Sequence, residues 1–165
     1  MIKQLTVTLK NKPGMLKGFV GILAENGIDI KALEVTERGD GKEGKIHLIV
    51  SELDKAMKAL EQAEYPCKVE DVLVVEMDDH VGGLASVLAI LAKREVNIRY
   101  LYAFVSRVHG KSLAVFSVRD ISGAQDALEK TGVTLLSQTS IEERKDSRPP
   151  GAPSLEDHFG IDFIW

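Results

Sequence analysis

The sequence predicts an α+β fold made of two copies of one small unit, each with an antiparallel sheet covered on one face by two helices. The first observation is a repeat. Residues 11–16 and 79–84 each connect an alternating apolar segment to a helical one, and their glycines, Gly14 and Gly82, are 68 positions apart. The second observation is the order of patterns in each copy: strand, helix, strand, strand, helix, strand.

The strands of the first copy are predicted by alternating apolar and polar residues, which is the period of a half-buried strand. Leu5, Val7 and Leu9 share one face of the first strand. Residues 39–41 are typical of a hairpin turn between the second and third strands. The predicted strands lie at residues 2–9, 28–35, 45–50 and from 67 onward.

Two helices are predicted by apolar residues at helical spacing, one from residue 16 to about residue 26 and one at residues 53–63. Asn11 is expected to cap the first helix, Pro13 to stand in its first turn and Gly27 to end it. The second copy repeats these elements with no net insertion. The complete order, βαββαβ, is that of a ferredoxin-like sandwich.

The repeat divides the chain into unit 1 (residues 1–70), unit 2 (residues 71–141) and a C-terminal segment (residues 142–165). Because no Gly, Pro or Ser spacer separates the units, they are expected to pack closely. The C-terminal segment starts as a polar, proline-rich tether and ends in the apolar residues Phe159, Ile161, Phe163, Ile164 and Trp165. This apolar end is expected either to dock on its own or a neighbouring protomer or to recognise another protein.

Composition argues against several functional classes. The formal net charge of −4 comes from interspersed acids and bases, which leaves no basic stripe for nucleic acid. The single cysteine, Cys67, is expected to be a small core residue, and the four histidines lack the spacing of metal ligands. We therefore expect no catalytic residues, no metal and no cofactor.

The chain also lacks the patterns of membrane and secreted proteins. No apolar run approaches the roughly 20 residues of a membrane helix, and the sequence begins directly in a strand pattern without the form of a signal peptide. A cytoplasmic location is expected. Aromatic residues, which an RNA-binding sandwich would display on its central strands, are scarce. Their strongest cluster, Tyr100, Tyr102 and Phe104, lies on one strand, where core or interface packing explains it equally well.

The repeated junction can bind a small anion. A glycine before a helix leaves backbone N–H groups accessible at the positive end of the helix dipole, which suits a carboxylate. The start of the next strand supplies an oxygen for an ammonium group in each unit, Asp29 and Asn97. The same residues are also typical of ordinary helix caps, tight turns and strand ends.

The two junctions resemble the opening of an ACT domain, a small-molecule regulatory module. The resemblance rests on Asn11-Lys12-Pro13-Gly14-Met15-Leu16 with Asp29-Ile30, and again on Asp79, Gly82 and Leu84 with Val96-Asn97-Ile98, over residues 1–141. It implies ligand contacts at Asn11, Gly14, Met15, Leu16, Asp29 and Ile30 in unit 1, and at Asp79, Gly82, Gly83, Leu84, Asn97 and Ile98 in unit 2.

The resemblance also implies a function. The chain is expected to sense an amino acid or related small metabolite at interfaces between ACT-like units, as a homodimer and without catalytic activity. Unit 2 departs from unit 1 by having His80-Val81 for Lys12-Pro13 and Glu95 for Gly27, so the two sites need not share a ligand. The alternative hypothesis is a non-catalytic interaction or regulatory subunit of a metabolic enzyme that binds no ligand.

Overall fold

The structure, a computed structural model, describes residues 1–39, 41–104 and 111–143. Apart from Glu142 and Glu143, the predicted tether and apolar end lie outside the described residues. Within the described ranges the chain has an α+β fold, and both units show the predicted order of elements.

The elements are numbered in chain order. Unit 1 contains β1 (Ile2–Lys10), α1 (Met15–Glu25), β2 (Ile30–Glu37), β3 (Glu43–Val50), α2 (Leu53–Gln62) and the first half of β4 (Cys67–Asp78). Unit 2 contains the second half of β4, then α3 (Gly83–Lys93), β5 (Ile98–Ala103), β6 (Lys111–Val118), α4 (Ile121–Glu129) and β7 (Thr134–Leu135). A short helix, α5 (Gln138–Glu142), follows.

The two units share one strand. Residues 67–72 of β4 pair with β1, and residues 73–78 pair with β6. The strands therefore form one antiparallel sheet in the order β2-β3-β1-β4-β6-β5, with β7 also paired to β4. The predicted boundary after residue 70 falls inside β4, which explains why the sequence has no spacer there.

The sheet curls until its two end strands touch. β2 and β5 meet at an antiparallel bridge between Ala32 and Phe104. Helices α1 to α4 cover the outer face, over two apolar clusters that include Leu5, Phe19, Leu23, Leu48 and Leu60 in unit 1, and Leu73, Val87, Leu91, Phe116 and Leu128 in unit 2. Each cluster is the core of one unit.

A third cluster lies on the inner face and belongs to both units. Alternate residues of the same strands turn inward, and Ile141 of α5 packs among them. The members that are fully or almost fully buried are Ile2, Ala32, Ile49, Val72, Val74, Tyr102, Leu113, Val115 and Ile141. Because this core draws on β1 to β6, the units form a single packed body.

The first helix of each unit ends in the same way. Gly27 has φ +64°, and the following N–H, of Ile28, donates to the carbonyl of Leu23 at 2.9 Å. The predicted helix end at Gly27 is confirmed. In unit 2 Glu95 adopts φ +54° at this position, a backbone conformation that costs a side-chain-bearing residue about 1 kcal/mol.

Candidate functional site

Both strand–helix junctions contain a glycine with a left-handed backbone. Gly14, with φ +86°, is the N-cap of α1, and Gly82, with φ +96°, is the N-cap of α3. Within the described residues no side chain caps the first turn of either helix. The first N–H groups, of Met15 and Gly83, donate to the carbonyls of Lys12 and His80. The next ones, of Leu16 and Leu84, lie at the positive end of the helix dipole.

Asn11 does not cap α1, so that prediction was wrong. Its Nδ2 donates instead to Oε1 of Glu37 at 3.0 Å and to the carbonyl of Gly41 at 3.2 Å. Its backbone N–H donates to the carbonyl of Lys42 at 2.8 Å. Pro13 lies in the turn before α1 and not in its first turn. Asn11 therefore fastens the junction to the turn between β2 and β3.

The unit 2 junction follows the same turn as that of unit 1, where the N–H of Lys12 donates to the carbonyl of Lys10 at 3.0 Å and the N–H of Met15 to that of Lys12 at 3.2 Å. The N–H of His80 donates to the carbonyl of Asp78 at 3.0 Å, and the N–H of Gly83 donates to the carbonyl of His80 at 3.1 Å. A Cβ at Gly83 would overlap the carbonyl oxygen of Asp78, so the backbone approach requires glycine. Leu84 and its counterpart Leu16 are 38% and 39% exposed, so both junctions present an apolar side chain to solvent.

The space in front of both N-cap glycines is open. A Cβ added to Gly14 or Gly82 would meet no atom within 4 Å among the described residues. The positive φ angles are enough to explain why glycine stands at these positions. The open space means that a ligand can approach the helix starts without displacing protein atoms.

Shallow cavities lie beside the junctions and differ in character. The cavity of unit 1 has a volume of about 130 Å³ and a mainly apolar lining that includes Leu9, Met15, Leu16, Val35 and Ile46. The cavity of unit 2 has a volume of about 240 Å³ and a more polar lining that includes Glu76, Asp78, His80, Ser86, Lys111 and Thr134. The two units therefore offer different surroundings to a bound molecule.

The charges next to the junctions are reversed between the units. At the end of the first strand, Lys10 stands opposite Glu43 in unit 1, whereas Asp78 stands opposite Lys111 in unit 2. Lys111 donates a hydrogen bond to Asp78, which lowers the pKa of the aspartate and raises the pKa of the lysine. Unit 1 thus places a cation just before its glycine loop, and unit 2 places an anion there.

The predicted ammonium-binding residues lie far from the glycines of their own unit. Lys10 pairs opposite Glu43 at one end of β3, while Ile30, the residue after Asp29, pairs opposite Val50 at the other end. These ends are seven positions apart along β3, a distance of roughly 23 Å at 3.3 Å per residue.

In unit 2 the glycine loop and Asn97 likewise lie at opposite ends of a strand, β6. The carbonyl of Asn97 accepts a hydrogen bond from the N–H of Arg119 at 3.2 Å, just beyond the end of β6, while Lys111 at the start of β6 pairs with Asp78. Asp29 already holds an ammonium group, because Nζ of Lys31 lies 2.6 Å from its Oδ2. One unit therefore cannot bring its glycine and its Asp29 or Asn97 to the same small ligand.

A buried polar cluster between the units was not predicted. We call Gln4, Thr6, His47, Glu70, Tyr100 and Tyr102 the inter-unit polar cluster. Tyr102 donates its hydroxyl hydrogen to Oε1 of Gln4 at 2.8 Å, and Nε2 of Gln4 donates to the hydroxyl of Tyr100 at 2.7 Å. The rings of Tyr100 and His47 stack with centroids 4.3 Å apart. The cluster therefore joins β1 and β3 of unit 1 to β5 of unit 2.

His47 contacts two polar side chains of this cluster through its Nδ1. The Thr6 hydroxyl donates to Oε2 of Glu70 at 2.6 Å, and Nδ1 of His47 lies 3.0 Å from the same hydroxyl oxygen. Nδ1 also lies 3.1 Å from Nε2 of Gln4, which can only donate, so the tautomer of His47 decides which of the two contacts is a hydrogen bond. Burial lowers the pKa of His47, opposed by the nearby charge of Glu70.

We expect stability to depend on the protonation of His47. The folded-state pKa of His47 lies below the unfolded value of about 6.5, so above that pH its protonation costs no stability. As the pH falls from there toward the folded pKa, the unfolded chain binds a proton that the folded chain does not, and stability decreases. Urea unfolding should therefore show a larger loss of stability between about pH 7 and pH 5 for the native chain than for His47→Gln. The exposed His80, changed to Gln, is the matched control; equal pH slopes for all three proteins would contradict the prediction.

The described residues contain neither a membrane-spanning helix nor a cluster of metal ligands. In the part of the chain that the structure describes, none of the helices has the length and apolar composition needed to cross a bilayer. Across the same residues, no group of three or more His, Cys, Asp or Glu side chains is placed to hold a metal ion.

Comparison with known proteins gives one family and one recurring fold. A family model described as an ACT domain pair matches residues 1–143. A solved structure from Bacteroides thetaiotaomicron is similar with a TM-score of 0.79 and 29% identity, over 87% of this chain and 96% of that one. No curated protein sequence matches the chain.

Regulatory subunits of aspartate kinase share the fold at lower identity. The ligand-free subunit from Thermus thermophilus has a TM-score of 0.57 and 16% identity, over 78% of this chain and 90% of that one. The subunit from Thermus flavus has a TM-score of 0.53 and 16% identity, over 79% of this chain and 92% of that one. These likenesses show a shared architecture of two joined units.

Proposed function

This chain belongs to the ACT domain pair family, whose model matches residues 1–143, and we propose that it is a regulatory protein that binds an amino acid or a related small metabolite. The observation that carries the proposal is the pair of helix starts at Gly14 and Gly82, each without a side-chain cap in the described residues and each open to solvent. Such a helix start suits the carboxylate of an amino acid.

The ligand is proposed to lie between protomers. Gly14 and Asp29 are at opposite ends of the unit 1 sheet, so a complete site needs the far end of another unit beside the glycine. A two-fold dimer whose axis is perpendicular to the strands provides this arrangement, because it places opposite ends of the two copies side by side. Asp29 or Asn97 of the second copy would then face the ammonium group.

Unit 1 is the better candidate for a carboxylate. Lys10 and Lys12 flank its glycine loop, whereas Asp78 and Asp79 precede the glycines of unit 2. Negative charges near a bound anion weaken its binding, and positive charges strengthen its binding. The apolar lining from Met15, Leu16 and neighbouring residues further favours an amino acid with an apolar side chain in unit 1.

A thermal-shift panel of the twenty amino acids tests the proposal. A ligand present at a hundred times its dissociation constant adds about 2.7 kcal/mol of stability, which corresponds to a rise in melting temperature of about 5–10 °C for a chain of this size. A panel with no shift would remove the support for amino-acid binding. It would favour the alternative, a subunit that contacts a metabolic enzyme without a ligand, which co-purification with that enzyme would then test.

Gly14→Val is expected to abolish the ligand-induced shift, and Gly82→Val to leave it in place. Both changes put a side chain at a positive φ, at a cost of roughly 1–2 kcal/mol, so each variant controls for the strain in the other. Calorimetric titration of the two folded variants with the amino acid found in the panel measures the difference. If Gly14→Val does not fold, Gly14→Ala is the milder substitute. Equal affinity in both variants would place the ligand elsewhere.

A further inference from the structure

An apolar groove outside the two junctions lies between the end of α2 and the start of β4. It has a volume of about 400 Å³, and its lining residues are Met57, Glu61, Glu64, Tyr65, Pro66 and Cys67. Met57, Tyr65 and Cys67 form an apolar floor that packs on the core of unit 1, with the Tyr65 ring edge-on to Phe19 at 5.6 Å. The floor is therefore anchored to a rigid core.

The strand beside the groove has an unpaired edge. Within the described residues, Cys67 to Glu70 pair with β1 alone, because β6 pairs only from Leu73 onward. Val69, on the same face of β4 as Cys67, is 40% exposed. An unpaired strand edge next to exposed apolar side chains is the surface to which an extended segment adds as a further strand.

The described chain ends close to this surface. Gln138 and Glu142 of α5 line a second groove together with Lys55 and Lys58 of α2, so the chain leaves beside the first half of α2. The apolar groove lies on the neighbouring face of the same helix, where Met57 and Glu61 line it. The whole of α2 has 10 residues and is therefore roughly 15 Å long.

The residues that follow fit the groove in length and pattern. Residues 144–158 can span up to roughly 50 Å, far more than the length of α2. After them, the apolar side chains Phe159, Ile161, Phe163 and Trp165 occupy alternate positions, which is the period of a strand with one apolar face. Arg144, Lys145 and Arg148 in the tether complement the acidic rim formed by Glu61 and Glu64.

We propose that residues 159–165 of the same chain dock as an extended segment along the edge of Cys67–Glu70, with their alternate apolar side chains in the groove formed by Met57, Tyr65 and Cys67. The contact covers apolar surface on both partners and gives the edge of β4 its missing hydrogen-bond partners. It ties the C-terminus to unit 1, although the chain leaves from unit 2.

The composition supplies two probes, because Trp165 is the single tryptophan and Cys67 the single cysteine. In the native chain the emission of Trp165 is expected at the short wavelengths of a buried indole. Met57→Glu should shift it to the long wavelengths of an exposed indole, while Val81→Glu, at a fully exposed position of unit 2, should not. Native emission already typical of an exposed indole, or unchanged in Met57→Glu, would overturn the proposal.

The reaction of Cys67 with a thiol reagent gives the second measurement. Deleting residues 154–165 should raise its rate about tenfold or more, the ratio that corresponds to docking favoured by about 1.4 kcal/mol. The pH is held constant, because burial raises the pKa of the Cys67 thiol and the thiolate is the reactive form. Val69→Lys, at an exposed position, is the second variant if Met57→Glu unfolds.

Dilution distinguishes docking within one chain from docking on a second copy of the chain. Docking within one chain predicts Trp165 emission and Cys67 protection that are independent of protein concentration. Loss of both on dilution would assign the contact to another protomer and overturn the proposal. An unchanged Cys67 rate after the deletion would overturn it as well.

Discussion

Phe116→Ala is expected to lower the free energy of unfolding by about 3–5 kcal/mol, the usual cost of removing a buried aromatic ring. Phe116 is fully buried on the outer face of β6, in the core of unit 2. The effect should appear as one shifted transition of the whole chain, because β4 belongs to both units and the inner core draws residues from both. Urea unfolding followed by far-ultraviolet circular dichroism measures it.

Phe19→Ala is the matched change in unit 1, since Phe19 is also fully buried, beneath α1. It should move the same single transition by a similar amount. Calorimetry provides the check, because one cooperative body gives equal calorimetric and van't Hoff enthalpies. Two separate transitions, with each variant moving only its own, would show that the units unfold independently.

Gln4→Leu is expected to destabilise the chain by roughly 2–4 kcal/mol, although leucine is close to glutamine in size. Gln4 is fully buried, and its amide accepts from Tyr102 and donates to Tyr100 across the boundary between the units. Leucine would leave the Tyr102 hydroxyl without its partner in a site where that residue is 7% exposed. An unpaired buried polar group of this kind costs about 1–3 kcal/mol.

A second substitution tests whether the lost hydrogen bond is the cause. Tyr102→Phe in the Gln4→Leu background should recover part of the stability, because both partners are then apolar. Tyr102→Phe alone leaves Oε1 of Gln4 unpaired and should destabilise. Denaturant melts of the four proteins give the coupling between the two positions. Strict additivity of the two changes would contradict a direct interaction.

The sequence was sufficient to predict the elements and their order. Side chains that face the outer core were predicted by the alternation of Leu5, Val7 and Leu9 and by the helical spacing around Phe19. These residues are buried as expected. The duplication at 68 residues predicted the second unit. These features are local, and a periodic pattern records them directly.

The inner face was not predictable in the same way. Gln4, Thr6 and His47 have the polar character of a solvated strand face, yet the curl of the sheet buries all three beneath Tyr100 and Tyr102. Their burial depends on contacts about 100 residues apart in the chain, as between Gln4 and Tyr102. The local alternation of apolar and polar residues carries no information about such contacts.

The candidate site was predicted in its parts and not in its arrangement. Gly14 and Gly82 do cap helices, but Asn11 was assigned to the wrong hydrogen bond because a side chain near a helix start can reach a neighbouring turn equally well. The distance between Gly14 and Asp29 follows from the parallel course of β1 and β2 on either side of β3. That relation requires the topology of the sheet.

The continuous strand β4 makes the chain sensitive to insertions at the boundary of the repeat. One extra residue after Glu70 would exchange the two faces of residues 71–78, which would turn Leu73 and Val75 toward the inner core and Val72 and Val74 toward the helices. Two extra residues would keep the faces and displace unit 2 along the strand by roughly 6.6 Å. The length of the connection between these two domains is therefore part of their fold, whereas a flexible linker could vary freely.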